Sequence, residues 1–115
     1  MGGGLIILLS NFPDAETART AVRTLVTERL VACGNIIPGI ESVYEWKGAL
    51  ETGAEVMAVC KTTVESASAA QSRLRALHPY EVPEILQIVA ADGWPDYLSW
   101  VAAQCGRIAD KESGM

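Results

Sequence analysis

The only histidine of the chain, His78, sits in the stretch "LHPYEVPEI" at residues 77–85, followed by Pro79, the Tyr80–Glu81 pair, Pro83 and Glu84. An imidazole with Glu81, Glu84 or a thiol could hold a metal ion or move a proton near neutral pH. With no second histidine, a metal site would need cysteine, carboxylate or a neighbouring subunit. The plainer reading makes His78 a helix C-cap beside the negative end of a helix dipole. The cysteines, Cys33, Cys60 and Cys105, are odd in number and widely spaced, with no CxxC. That pattern predicts reduced thiols rather than a disulfide framework or a structural zinc site. Thiolate and imidazole together favour copper and zinc. Cys33 and Cys60 lie in apolar surroundings and read as small buried hydrophobes, with Cys105 more exposed.

Glu41, Glu45, Glu51 and Glu55 form a second group of reactive types. An acid pair could serve general acid–base chemistry, but a solvated face is the default reading. Lys61-Thr62-Thr63 could hold an anion at a helix N-terminus, although a capping role for Thr62 accounts for most of that string. The sequence has no GxGxxG, Walker-type loop, HExxH or Ser-His-Asp arrangement, and no nucleophile–base pair is evident. An enzyme is not expected.

These residues must be positioned by the elements around them. "LIILL" at Leu5 to Leu9 has the continuous apolar pattern of a strand covered on both faces. Asp14 caps a helix carrying the stripe Ala18, Ala21, Val22, Leu25 and Val26, predicted to end near Val31. From Ile40 to Trp46 the residues alternate, so Ile40, Ser42, Tyr44 and Trp46 share one face. Pro38-Gly39 suggests a bulge or bend, and Lys47-Gly48 a hairpin turn. A partner strand runs from about Leu50 to Lys61, with an interruption near Thr52-Gly53. Thr62 and Glu65 match a capping box, which predicts a helix over about Thr63 to Leu77, stopped by Pro79. "EILQIVA" is a last strand, and Pro95 opens a short terminal helix.

The order strand, helix, strand, strand, helix, strand predicts an α+β fold, a ferredoxin-like βαββαβ sandwich with an antiparallel sheet and helices on one face. The length of 115 residues suits one domain spanning 1–115, with residues 1–4 and about 106–115 expected to be flexible. A net charge of −5 argues against nucleic-acid partners. No apolar run is long enough to cross a membrane, and the N-terminus does not read as a signal peptide, so a cytoplasmic location is expected.

The two strands of the hairpin could each reach about a dozen residues, twice the usual length. Two helices cannot cover such a ribbon, and Tyr44 and Trp46 near its tip are a liability unless another chain covers them. A homo-oligomer joined through the hairpin is the expected form.

Several strings taken together, "PDAETA" (13–18), "ERLVACGNIIPGIESVYEWKG" (28–48), "KTT" (61–63), "LHPYEVPEI" (77–85) and "YLSW" (97–100), resemble the CutA family of divalent-cation tolerance proteins. The likeness runs from Leu5 to about Trp100. It implies a fold similar to the PII signalling proteins and a homotrimer with hairpins paired between subunits. It further implies a response to copper, Cu(II), or another divalent cation, with no cofactor required for folding. The family's "PD" is often preceded by a cysteine proposed to bind soft metals, where this chain has Phe12. His78 matches the family's "HPY" and Cys33 its "AC". If metal binds, the expected ligands are His78, Cys33 and Glu81, drawn from more than one subunit. The alternative is a PII-like scaffold that binds a small metabolite or partner protein. Tyr44, Trp46, Lys61, His78, Tyr80, Glu81 and Glu84 would then line an inter-subunit cleft.

Overall fold

The computed structural model of the protein describes residues 4–106. The flexibility expected of 1–3 and of 107–115 concerns positions outside the described residues. Strand β1 is Leu5–Phe12, helix α1 Ala15–Thr27, strands β2 and β3 Cys33–Trp46 and Ala49–Thr63, helix α2 Val64–Leu77, strand β4 Ile85–Ala90 and helix α3 Pro95–Gln104. The sheet order is β2-β3-β1-β4, with every neighbouring pair antiparallel. This is the ferredoxin-like α+β arrangement that the element order predicts.

Local chemistry sets the helix boundaries. The Asp14 carboxylate accepts from the Thr17 amide at 2.7 Å and starts α1. The helix ends at Thr27, four residues earlier than Val31, because Arg29 turns left-handed at φ 63°. The cap of α2 is also one residue from its expected place. Thr63, not Thr62, accepts from the Ser66 amide, at 3.1 Å. The Thr62 hydroxyl instead donates to the Leu30 carbonyl at 2.7 Å, joining β3 to the end of the α1 loop.

The even-numbered side chains of β1 meet the two long helices. Leu8, Phe12, Val56, Ala58 and Cys60 pack with Ala18, Ala21, Val22 and Leu25 of α1 and with Ala70 and Leu74 of α2. Each large apolar side chain buried there contributes roughly 1.5–3 kcal/mol. Burial raises the Cys60 thiol to about 11, so it stays protonated as a packing group.

The other face of the sheet is only partly covered. α3 packs across one end of it, where Val101 meets Leu5 and Ala32. Beyond α3, Leu86 and Ile88 of β4 are 50% and 43% exposed. They stand opposite Leu9 and Ile7 of β1, so a bare apolar surface continues across the sheet.

The hairpin is longer than expected and unbroken. β2 has 14 residues and β3 has 15, with no interruption at Thr52-Gly53. Gly53 stays in the ladder opposite Ser42. Lys47 at φ 53° and Gly48 at φ 84° make the tip. The bulge lies where Pro38-Gly39 places it. Ile37 pairs with Met57 and Ile40 with Glu55, so β2 advances three residues while β3 advances two. That extra residue flips the parity of β2. Ile40, Ser42, Tyr44 and Trp46 therefore lie on the same face of the sheet as Met57, away from α1 and α2. The ribbon stretches the molecule to 52 × 30 × 21 Å with a radius of gyration of 15.3 Å. A compact chain of this size has about 13 Å.

Candidate ligand-binding groove

The turn after α2 is fixed by a set of polar bonds to β1 and β3. His78 Nε2 lies 2.8 Å from the Asn11 carbonyl, and the Tyr80 amide donates to Nδ1 at 3.2 Å. The second bond requires an unprotonated Nδ1, so Nε2 carries the proton and donates. The ring stacks on Phe12 with centroids 4.4 Å apart. Burial lowers the imidazole below its ordinary value of 6.5, against the opposing pull of the Asn11 carbonyl. His78 does stand at the C-cap of α2. A buried, neutral ring does not act there as a cation on the helix dipole.

Tyr80 continues the anchoring. Its hydroxyl donates to Glu55 Oε2 at 2.7 Å, while the Ser42 hydroxyl donates to Glu55 Oε1 at 2.6 Å. Glu55 is half-buried at the root of the hairpin, not part of a solvated acidic face. The Ser10 hydroxyl donates to the Glu84 carbonyl at 2.7 Å, and Asn11 Nδ2 donates to Glu84 Oε1 at 3.1 Å. The remaining polar atom of that amide, Asn11 Oδ1, is buried and has no hydrogen-bond partner among the described residues. An orphaned acceptor of this kind costs about 1–3 kcal/mol.

Between the hairpin and this turn lies a groove of about 540 Å³, lined by Tyr44 and Trp46 from β2 and by Tyr80, Glu81 and Glu84 from the turn. These five are residues that the sequence marks for a cleft. Asn11, Ser42, Val43, Glu55 and Val82 complete the lining. Ser42 was legible as a neighbour of Tyr44 on its strand face. Glu55 was not, because its place depends on the bulged register of β2 on β3.

The other sequence-marked residues are elsewhere. Lys61 lies opposite Cys33 and bonds the Asn35 side chain, outside the groove. Cys33 sits 3.3 Å from the Tyr97 hydroxyl, whose value rises to about 12, through burial first and then this contact. Lys61 pairs with Ile7, four residues along β1 from Asn11, where His78 is held. That places Cys33 and His78 about 13 Å apart along the strand direction. Among the described residues no three His, Cys, Asp or Glu side chains could together hold a metal ion. Within one chain, then, the described residues do not fit a closed copper site.

The fold, with its bulged fourteen-residue strand and its rigid proline turn, agrees with comparisons to known proteins. The family model described as CutA1 divalent ion tolerance protein matches residues 6–104. The chain belongs to this family. A divalent-cation tolerance protein CutA from Thermus thermophilus is 41% identical over 100 residues, covering 87% of this chain and 97% of that protein. A CutA homolog from Xenopus laevis is 41% identical over 101 residues, covering 88% of this chain and 67% of that one. The solved divalent cation tolerance protein of Thermus thermophilus superposes with a TM-score of 0.85 at 40% identity, over 89% of this chain and 99% of that one. None of these names carries an enzymatic activity. No helix among the described residues of this CutA protein is long and apolar enough to cross a membrane.

Proposed function

We propose that this CutA protein works in divalent-cation tolerance as a homotrimer, responding to copper or another divalent ion whose ligands come from more than one subunit. The observation that carries the assembly is the uncovered apolar surface. Leu86 and Ile88 are 50% and 43% exposed on the open face of the edge strand, and Val43 and Leu50 are 62% and 78% exposed on the opposite face of the projecting hairpin. Surfaces of this kind mark an interface in a folded chain. Within one chain His78 has both ring nitrogens engaged, so a metal reaching it must displace the Asn11 carbonyl or the Tyr80 amide. Glu81 and Cys33 are the other residues that separate copies could bring together. Sedimentation equilibrium should give three times the chain mass. Cu(II) added to chelator-treated protein should shift the His78 resonances, and His78→Ala should weaken binding. A variant that binds copper as the parent does removes His78 from the ligand set.

A second reading is favoured by the groove. Tyr44, Trp46, Tyr80, Glu81 and Glu84 converge there in one chain, as they would in a scaffold that binds a small metabolite or a partner. Lys61 enters such a site only from another copy. A metabolite that raises the melting midpoint of chelator-treated protein supports this reading. Stabilisation by metal ions alone counts against it.

A further inference from the structure

We infer that the groove between the hairpin and the His78–Ile85 turn takes an organic cation carrying N–H donors, a guanidinium or a primary ammonium. The inference rests on the second reading above, that the groove is a ligand site. Among its ten lining residues are three carboxylates, Glu55, Glu81 and Glu84, and no Lys or Arg. Two basic groups at its rim have partners already. Arg75 donates to the Glu81 carbonyl at 3.2 Å, and Lys47 lies 5.8 Å from the Trp46 ring centre at the hairpin tip. A phosphate or carboxylate ligand would be desolvated beside like charges with no positive partner.

The hydrogen-bond inventory narrows the cation further. Both Glu55 oxygens already accept a hydroxyl, and Glu84 Oε1 accepts Asn11 Nδ2. Their remaining lone pairs suit N–H donors approaching one at a time better than a bare metal ion seeking several oxygens at short range. Asn11 supplies the independent observation. It is 8% exposed, it lines the groove, and its Oδ1 has no donor among the described residues. An N–H group entering beside Asn11 would supply that donor, whereas a ligand without N–H groups leaves it orphaned. The half-exposed ring of Tyr44 offers a face on which a cation is attracted. The groove of about 540 Å³ admits a cation with an alkyl tail.

Full-length chelator-treated protein, labelled with nitrogen-15, is titrated with n-butylguanidinium, n-butylammonium, tetramethylammonium and butyrate. The indole resonance of Trp46, assigned with Trp46→Phe, reports occupancy. Both N–H cations should move it saturably, tetramethylammonium should bind at least about tenfold more weakly, and Glu55→Gln should weaken both N–H cations by about tenfold. The same titration of Lys61→Met separates two sources of the cation. A parent that stays silent while Lys61→Met responds shows that the groove is filled by a lysine of a second copy, which upholds the cation chemistry. Butyrate binding as tightly as the cations overturns the inference but leaves the groove a ligand site. Silence of all four probes in parent and Lys61→Met overturns both, as does a response to Cu(II) alone.

Discussion

Tyr80 donates its hydroxyl to Glu55 across 2.7 Å, joining the turn after α2 to the middle of β3. Burial first, and then this bond, raise the Tyr80 phenol above its ordinary value of 10.0. A charged acceptor makes the contact stronger than a neutral one. Tyr80→Phe should therefore destabilise the protein by about 1.5–3 kcal/mol, read as a lower urea midpoint with an unchanged slope. A variant as stable as the parent would mean that Glu55 regains an equal partner in water.

His78 gives the fold a pH dependence whose sign is determined by its burial. The folded value lies below the ordinary 6.5. As pH falls through 6.5 the unfolded chain takes up a proton that the native imidazole resists. The unfolded state then binds more protons, so stability falls with falling pH. The contribution is complete above about pH 7.5 and declines below 6.5 until the folded value is passed. Thermal midpoints from pH 8 to 5 should drop more steeply in the parent than in His78→Gln. Parallel curves would show that the ring titrates alike in both states.

Much of this architecture is readable in the residues themselves. Asp14 marks a helix start, Pro38-Gly39 a bulge, Lys47-Gly48 a turn and Pro95 a first helical residue, because each acts through its own backbone or side chain over a few positions. The misses have non-local causes. Helix α1 stops at Thr27 because Arg29 takes φ 63°, a conformation its side chain does not announce. Thr62 looks like a cap but is drawn to the Leu30 carbonyl, 32 residues away. Glu55 reads as solvated until the bulge turns Ser42 onto its face and the turn delivers Tyr80. Tyr44 and Trp46 share a strand face by alternation alone, but grouping them with Tyr80, Glu81 and Glu84 rests on the family resemblance and its PII-like cleft. Lys61 could not be excluded from the same chain's groove without the register that pairs it with Cys33.

Gly34 marks a close approach that the core depends on. A Cβ there would lie 2.7 Å from Val22 Cγ1 and 3.0 Å from Cys60 Sγ, where α1 crosses the start of β2. Val22 and Cys60 are themselves buried and have little room to yield. Gly34→Ala should cost about 1–3 kcal/mol through overpacking. Pairing it with Val22→Ala should recover part of that loss, since the clashing methyl is removed. Additive losses in the double variant would place the strain elsewhere.

The bare face of the sheet tests the assembly most directly. Ile88 stands opposite Ile7 on the side that α1 and α2 leave open, and it is 43% exposed in one chain. A charge there is harmless to a monomer, because the side chain already reaches water. In a trimer that buries this face the same charge loses its hydration without gaining a partner, at a cost of several kcal/mol per copy. Ile88→Glu should therefore lower the mass in sedimentation from three chains to one, while far-UV circular dichroism keeps its native shape. Leu8→Glu is the contrasting variant. Leu8 is fully buried between the sheet and the helices, so its replacement should unfold the chain rather than separate the copies. If Ile88→Glu leaves the mass unchanged, the copies meet on the hairpin and not on the sheet.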